Sequence, residues 1–418
     1  MFECTKFVSL QRKPQYYIVM ELSDIYRISA NLVSSTSLEW KRYMYDQINW
    51  DVPMLCIKGA RGVGKTTLML QRMKENFRDE RALYISLDNI WFSEHKLFDL
   101  ADYHSSHGGT HIFIDEVHRY PQANWIQEMK NIYDSFPSLH VVFSGSSLLQ
   151  IDMSKADLSR RCIFYDMQGM SFREYLISRR LGAFKAYSLE DVLHNHIAIA
   201  DEVLKSARPL QHFKDYLRHG YYPFYNRYSV SYSEALQQII NTIIDSDLIT
   251  TMNVENVTLR KFKRLLFILS QMVPYTPNIQ KLSQSIETNR QQTYGMLDTL
   301  HKAALIFNLY SGKSNMQQLG KPEKIYMENS NLTYALTSNA TDGNARETFF
   351  ANQLKQAHNV AFSGDGDFLI DGTYTIEVGG KGKTFDQIAD VPNSYLAVDD
   401  TERGHLNRIP LWLFGFLY

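Results

Sequence analysis

An apolar segment, Met54–Lys58, runs directly into a glycine-rich stretch, Gly59 to Thr66, and an amphipathic segment follows. The stretch matches the pattern G-x-x-x-x-G-K-[ST] in full, and its neighbours supply the order strand, loop, helix that the pattern requires. Glycines let successive backbone N–H groups point inward at phosphate oxygens, and the start of a helix adds a favourable dipole. The chain is therefore expected to fold around a phosphate-binding loop.

Nine consecutive residues are the candidates for holding a nucleoside triphosphate: Gly59, Ala60, Arg61, Gly62, Val63, Gly64, Lys65, Thr66 and Thr67. We expect Lys65 to reach the β- and γ-phosphates and the Thr66 hydroxyl to bind Mg²⁺. The chain has no guanine-reading Asn/Thr-Lys-x-Asp motif, so ATP is inferred from the class of the loop rather than from a base-reading residue.

A second motif is the apolar run His111 to Ile114, which ends in Asp115 and Glu116. Asp115 is predicted to hold Mg²⁺, and Glu116 is predicted to orient and deprotonate the attacking water. The adjacent glutamate favours hydrolysis of ATP over transfer to a small acceptor.

Two further groups are candidates for contact with the γ-phosphate. Ser144 and Ser146 follow another apolar run, and either serine can contact the γ-phosphate or the attacking water, or simply form a strand-terminal turn. Arg160 and Arg161 precede the next run, and Arg161 is the candidate arginine finger. A pair of solvent-facing arginines is the alternative.

Five short apolar runs alternate with helical patterns between residues 54 and 165, which predicts a mainly parallel α/β sheet. The 418 residues carry a net charge of −1, which excludes a globally basic nucleic-acid coat but not a local basic patch. Three widely spaced cysteines, Cys4, Cys56 and Cys162, support neither a disulfide framework nor a zinc site. No secretory signal or membrane-spanning run is visible, so we expect a cytoplasmic protein without a membrane partner.

These motifs, together with Leu158-Ser-Arg-Arg161 and Met170-Ser-Phe-Arg-Glu-Tyr175, resemble the bacterial and archaeal AAA-like P-loop ATPases of the AAA_14 type that carry a C-terminal DUF4143 region. The resemblance implies an ASCE-type parallel sheet with strand order 5-1-4-3-2. It also implies that Arg161 corresponds to the arginine that precedes the family's Leu-Ser-Phe-like motif, which reads Met-Ser-Phe here. Family members have a winged helix and often a region similar to PD-(D/E)XK nucleases.

Changes in the apolar and charged patterns along the chain predict five domains. They are a helical lead-in (1–50), an AAA-like ATPase core (51–185), a helical lid or linker (186–258), a winged helix-turn-helix (259–328) and a small α/β domain like the PD-(D/E)XK nucleases (329–418).

The middle of the chain is locally basic. Between residues 256 and 325 ten lysines and arginines face three acids, a net charge of +7, on a pattern of three helices and a hairpin. Such a module can neutralise DNA phosphates, with Arg290, Gln291 and Gln292 at the start of the third helix. The alternative is a lid or a protein-docking unit.

The C-terminal part is acidic, with eleven acids against six basic residues between residues 331 and 418. Glu347, Asp367 and Glu377 have a spacing like that of PD-(D/E)XK nucleases, in which two carboxylates hold Mg²⁺. The lysine expected two residues after the second acid is replaced by Gly379, and Lys381 or Lys383 is the displaced candidate. A nuclease-like fold that only binds is the alternative to cleavage.

Three functions stay open at this point. The first is Mg²⁺-dependent ATP hydrolysis coupled to DNA engagement through residues 259–328. The second is an ATP-controlled nuclease, and the third is an ATP-gated switch that acts on a protein partner. If Arg161 acts in trans, the chain forms a homo-oligomer.

Overall fold

The computed structural model describes residues 20–77, 81–122, 124–226, 228–249, 256–312, 320–337 and 340–418. Cys4, Lys313 and the first 19 residues of the predicted lead-in lie outside these ranges. In the described part of the lead-in, a helix, α1, spans Leu22–Ser35.

Five strands form the first sheet: β1 (Met54–Lys58), β2 (Ala82–Ser86), β3 (His111–Asp115), β4 (His140–Gly145) and β5 (Ile163–Asp166). They pair in parallel in the order β2-β3-β4-β1-β5, which is the predicted order 5-1-4-3-2 and confirms it. Every residue of β1 is buried, as expected of a strand that lies between two others in a parallel sheet.

Helices connect and flank these strands: α2 (Lys65–Asn76), α3 (Leu97–Ser106), α4 (Trp125–Ser135), α5 (Leu148–Leu158) and α6 (Phe172–Ser178). The strands are parallel, so their carboxyl ends meet at one edge of the sheet. That edge carries the loop after β1, Asp115 at the end of β3, and Ser144 in β4.

A mainly helical region follows, with α7 (Leu189–Leu204), α8 (Pro209–Asp215), α9 (Tyr232–Thr242), α10 (Asn256–Ser270), α11 (Ile279–Ser285) and α12 (Arg290–Lys302). A π-helix, Ile243–Asp247, continues α9. After α12 comes an antiparallel pair, β6 (Ile306–Leu309) and β7 (Lys324–Met327). The order of three helices and a hairpin is the one that the sequence pattern predicts.

The C-terminal part begins with α13 (Ser330–Leu336) and α14 (Asp342–Leu354) and continues in a second sheet. Its order is β12-β11-β10-β9-β8, with β10, β11 and β12 parallel and β8 and β9 antiparallel. The strands are β8 (Val360–Phe362), β9 (Phe368–Ile370), β10 (Tyr374–Gly379), β11 (Ser394–Val398) and β12 (Arg408–Pro410).

The cores divide the predicted 186–258 segment. Helices α7 and α8 pack with the second sheet, through buried residues such as Leu193 and Phe213. Helix α9 packs with β1, α2 and the helices that follow it, through Leu236 and Ile240. The segment is therefore shared between two hydrophobic cores.

Within the described ranges, no helix combines the length and the apolar composition that crossing a membrane requires. Cys56 and Cys162 are free, buried thiols, and burial raises the pKa of each.

Candidate active site

The phosphate loop joins β1 to α2, as predicted. Gly62 and Gly64 have positive φ angles of 83° and 104°, which favour glycine. A side chain at Gly59 would meet the Met167 carbonyl oxygen at 2.4 Å, so this position has no room for one. The glycine spacing therefore serves both the shape of the loop and its close fit against the neighbouring chain.

Lys65 is buried at the first turn of α2. Its Nζ donates hydrogen bonds to two carbonyl oxygens of its own loop, Gly59 at 2.7 Å and Ala60 at 3.0 Å. Desolvation lowers the pKa of Lys65, while the nearby acids Glu116 and Asp115 oppose that shift. The ammonium group binds carbonyls rather than a carboxylate.

Asp115 is buried at the end of β3 and collects hydroxyl groups from three elements. Thr66 donates to Oδ2 at 2.5 Å, Tyr84 donates to Oδ2 at 3.0 Å, and Ser144 donates to Oδ1. The structure thus brings the two predicted Mg²⁺ ligands, Thr66 and Asp115, into direct contact. Ser144 contacts Asp115, a different partner from the γ-phosphate or water that its position suggested.

Glu116 follows in a left-handed backbone conformation, with φ 53°. Such angles are uncommon for a side chain other than glycine and occur preferentially at functional sites. Ser146 donates to Glu116 Oε2 at 2.9 Å, and His118 Nε2 lies 3.2 Å from the same oxygen. Burial raises the pKa of Glu116, which makes its carboxylate a stronger base than an exposed one.

His118 is a contact that the sequence argument missed, although it lies only two residues beyond Glu116. Its Nε2 is also 3.2 Å from Arg61 Nη2, and its Nδ1 is buried without a hydrogen-bond partner. Burial and the neighbouring Arg61 and Arg119 lower the pKa of His118 to about 3, so the ring is neutral at physiological pH.

Arg161 does not lie near the phosphate loop of its own chain. It precedes β5, whose Ile163 pairs with Leu55 near the start of β1, whereas the loop follows the end of β1. Its guanidinium binds Asp134 through two hydrogen bonds of 3.0 and 2.9 Å. Arg161 therefore does not contact the phosphate loop of its own chain in this structure, because the length of β1 separates it from the loop.

A buried ion pair outside the predicted site contacts the backbone of the phosphate loop. Arg42 binds Glu174 through Nε at 2.9 Å and Nη2 at 3.0 Å, and it also donates to the Val63 carbonyl oxygen. The sequence pattern of residues 1–50 predicts helix but no chemistry. Nothing local marks Arg42, since its partner lies 132 positions away.

The acidic set of the C-terminal domain is brought together, but lysines occupy it. Lys324 Nζ, from β7, lies 2.8 Å from Asp367 and 3.4 Å from Glu347. Lys383 Nζ forms an ion pair with Glu377. The residues described contain no group of three or more His, Cys, Asp or Glu side chains arranged to hold a metal ion.

Lys381, the predicted lysine of that set, is exposed and stands outside it. Lys383 takes its place, and its side chain packs where a side chain on Gly379 would otherwise lie. Of the two lysines named for the displaced position, Lys383 and not Lys381 therefore pairs with Glu377, because the chain after β10 folds Lys383 back onto it.

Part of the charge of the basic module is paired. Lys263, Arg264 and Lys302 each form an ion pair with an acid. At the start of α12, Arg290, Gln291 and Gln292 are exposed, and so is Lys281 on α11. These residues are open to a partner.

Comparisons with known proteins match the part of the chain that carries the site. Residues 51–176 match the AAA_14 family, described as an AAA domain. The loop, the Asp115–Thr66 contact and the strand order agree with this match, so the segment is similar to AAA domains with a P-loop fold.

A second match lies further along the chain. Residues 210–343 match DUF8612, a domain of unknown function, and not the DUF4143 region that the resemblance implied. This span begins inside the predicted lid and ends inside the predicted C-terminal domain, so one family covers parts of three predicted domains.

One relative, the uncharacterized protein MJ1637 of Methanocaldococcus jannaschii, is 26% identical over 319 residues. The alignment covers 70% of this chain and 66% of MJ1637, just under two thirds of that protein.

Two solved structures are similar at a lower level. The Walker-type ATPase PABY2304 of Pyrococcus abyssi aligns with 72% of this chain and 97% of its own, at 12% identity and a TM-score of 0.41. AMPPCP-bound DnaA from Aquifex aeolicus aligns with 67% of this chain and 88% of its own, at 11% identity and a TM-score of 0.26.

Proposed function

We propose that the chain binds ATP with Mg²⁺ and hydrolyses it at the candidate active site. The observation that carries this proposal is the contact between Thr66 and Asp115, beside the buried Lys65. A hydroxyl and a carboxylate are the hard oxygen donors that Mg²⁺ takes, so these two residues fit the ion. When bound, Mg²⁺ neutralises charge on the triphosphate oxygens.

In this proposal Glu116 is the general base. It accepts a proton from the water that attacks the γ-phosphorus, and its burial suits that task because the raised pKa strengthens the base. Ser146 and His118 hold its carboxylate in place. Ser144 acts on Asp115 instead, and it fixes the carboxylate that holds the metal.

Arg161 is proposed to act in trans, on the nucleotide of a neighbouring copy. Its position at the far edge of the sheet and its partial exposure suit contact with another chain. This role requires a homo-oligomer in which that edge faces the neighbour's phosphate loop, and it requires Arg161 to exchange Asp134 for the phosphate.

We further propose that ATP turnover is coupled to duplex DNA through residues 259–328, acting as a winged helix. The exposed group of Lys281, Arg290, Gln291 and Gln292 supports this role, because basic and amide side chains at the start of a helix suit phosphates and base edges. We do not extend the proposal to metal-dependent cleavage, since Lys324 and Lys383 occupy the carboxylates that a metal would need.

Substitution of Glu116 tests the hydrolysis proposal. We expect Glu116→Gln to bind a fluorescent ATP analogue like the wild type but to hydrolyse ATP about 100-fold more slowly, because the base is lost while the loop stays intact. Glu94→Gln, an exposed acid of the same domain, is the matched control and should retain full activity. Full turnover by Glu116→Gln would remove the assigned base.

DNA engagement is tested by fluorescence anisotropy of a labelled duplex and by the ATPase rate with and without DNA. Affinity should fall steeply with salt, and Arg290→Ala should reduce the salt slope by about 1 for its lost phosphate contact. Lys263→Ala is the control, since Lys263 already pairs with Asp245. If DNA does not change the ATPase rate and the protein does not change the anisotropy of the labelled duplex, a protein partner is favoured instead.

A further inference from the structure

The side chain of Arg61 leaves the phosphate loop and binds an acid far along the chain. Its Nε lies 3.3 Å from Asp247 Oδ2, and its Nη2 lies 3.1 Å from Asp247 Oδ1. Asp247 is the last residue of the π-helix Ile243–Asp247, inside the region that matches DUF8612. Only 4% of the Asp247 side chain is exposed, so this two-point ion pair is shielded from solvent.

Arg61 also reaches the centre of the active site. Its Nη2 lies 3.2 Å from His118, whose Nε2 lies 3.2 Å from Glu116. The positive charge of Arg61 adds to the lowering of the Lys65 pKa and opposes the rise of the Glu116 pKa, so Arg61 acts electrostatically on both groups. Arg61 is thus an arginine that the chain itself brings next to Glu116 and His118, whereas Arg161 lies at the opposite edge.

Asp247 has a second cationic neighbour. Arg119 Nη2 lies 3.5 Å from Asp247 Oδ1, while Arg119 Nη1 donates to Ser246 at 2.7 Å. The π-helix is therefore attached to the ATPase core through two arginines, one after β3 and one in the phosphate loop. π-helical segments inside α-helices often mark functional positions.

We propose that Arg61 is a phosphate-binding side chain of the active site and that Asp247 competes with the triphosphate for its guanidinium. Phosphate and carboxylate are both bound by the planar fork of arginine, so one can replace the other. When ATP binds, the guanidinium of Arg61 leaves Asp247 and contacts the triphosphate. The ion pair that ties the π-helix to the phosphate loop is then broken, so the DUF8612 region responds to whether nucleotide is bound. Asp247 is a positioning residue, since it acts through Arg61.

This inference rests on the proposed ATP binding, and three variants test it first. The dissociation constant of a non-hydrolysable ATP analogue with Mg²⁺ is measured by fluorescence titration. Asp247→Asn should bind about 5-fold more tightly than wild type, because the competitor is gone, and Arg61→Gln should bind about 5-fold more weakly. The double variant should match Arg61→Gln, because the proposed competition with the triphosphate requires Arg61.

A different pattern would overturn the inference. If Asp247→Asn tightens binding equally in the Arg61→Gln background, Asp247 only repels the anion and the competition is wrong. If Asp247→Asn binds like wild type, the competition is also wrong. Failure of the wild type to bind any nucleotide would instead remove the proposed function itself.

Two further variants separate this role from a merely structural one. Asp247→Glu keeps the charge and should return the affinity to within about 2-fold of wild type. Asp245→Asn is the matched control on the same π-helix, since Asp245 pairs outward with Lys263, and it should leave the affinity unchanged. Thermal unfolding followed by circular dichroism identifies a variant that fails to fold, and if Arg61→Gln fails, Asp247→Asn against Asp247→Glu still decides the sign.

Discussion

The phosphate loop and the acidic set of the C-terminal domain both bring lysines close to carboxylates, and they are built in opposite ways. In the phosphate loop, Lys65 donates hydrogen bonds to the carbonyl oxygens of Gly59 and Ala60, and Asp115 accepts hydrogen bonds from hydroxyl groups. In the C-terminal domain, Lys324 binds Glu347 and Asp367 directly. The first arrangement keeps a cation and an anion apart, and the second neutralises them.

This difference determines which site can take a charged ligand. A carbonyl oxygen is a weaker partner for an ammonium group than a phosphate, so Lys65 can exchange it when a triphosphate arrives. Lys324 is only 20% exposed and its carboxylate partners are partly buried, so removing it would leave uncompensated charge in a poorly solvated place. The same residue types thus make a binding site in one place and a structural contact in the other.

Among the substitutions that test this contrast, removal of Lys65 should have the largest effect on ATP turnover. We expect Lys65→Ala to lower ATP turnover at least about 100-fold, because a preorganised cation that stabilises developing charge is lost. The measurement is steady-state phosphate release at saturating ATP. Lys383→Ala, at the neutralised site, should keep the wild-type rate, and comparable losses in the two variants would contradict the contrast.

Removing Lys324 should affect stability and leave ATP turnover within about 2-fold of wild type. We expect Lys324→Ala to reduce the free energy of unfolding by about 2 kcal/mol, because Glu347 and Asp367 lose their common partner. Denaturant unfolding measures this change. The exposed Lys381→Ala is the control, and an equal loss of stability there would show that charge in general, not this contact, matters.

The loss caused by Lys324→Ala should depend on pH. Burial and Asp367 raise the pKa of Glu347 above its ordinary 4.5, while Lys324 counteracts the shift. An acid whose pKa is raised in the folded state leaves the free energy of unfolding unchanged below pH 4.5, where it is protonated in both states. It lowers that free energy as the pH rises above 4.5, because its ionised form is less stable in the folded protein. The variant should therefore lose more stability at pH 8 than at pH 5, and the reverse order would count against this ion pair.

The smallest effect is expected for Ser144, which supports Asp115. Ser144→Ala removes the hydroxyl that donates to Asp115 Oδ1 but leaves Thr66 and Tyr84 on Oδ2. We expect the Mg²⁺ concentration needed for half-maximal turnover to rise about 10-fold, the usual cost of a supporting contact behind a metal ligand. Titration of the ATPase rate with Mg²⁺ measures this. A lower maximal rate without a change in the Mg²⁺ requirement would instead return Ser144 to a direct role at the phosphate.

Predictability from the sequence follows the distance along the chain between partners. The loop, Lys65 and Thr66 lie within one strand–loop–helix unit, so their spacing alone indicates their chemistry. Asp115 and Glu116 were also predictable, because a parallel sheet brings the carboxyl ends of its strands to one edge.

Other contacts had no such signal. Arg61 and Asp247 are separated by 186 positions and Lys324 and Asp367 by 43, and no period or motif connects either pair. Lys324 was counted with a basic surface because its charge, not its contacts, was visible. Arg161 carries the pattern of an arginine finger, yet the direction of β5 puts it at the wrong edge for its own loop.

The order of residues alone was sufficient to predict a phosphate-binding loop, its acidic partners and a mainly parallel sheet around them, whereas the strand order came from the resemblance to a known family. The reason is that backbone geometry and the period of apolar residues are local properties. Tertiary packing alone decided which charges stay available and which are neutralised, because an ion pair depends on the distance between groups in space. It is packing that placed Lys324 on its carboxylates and Arg61 on Asp247.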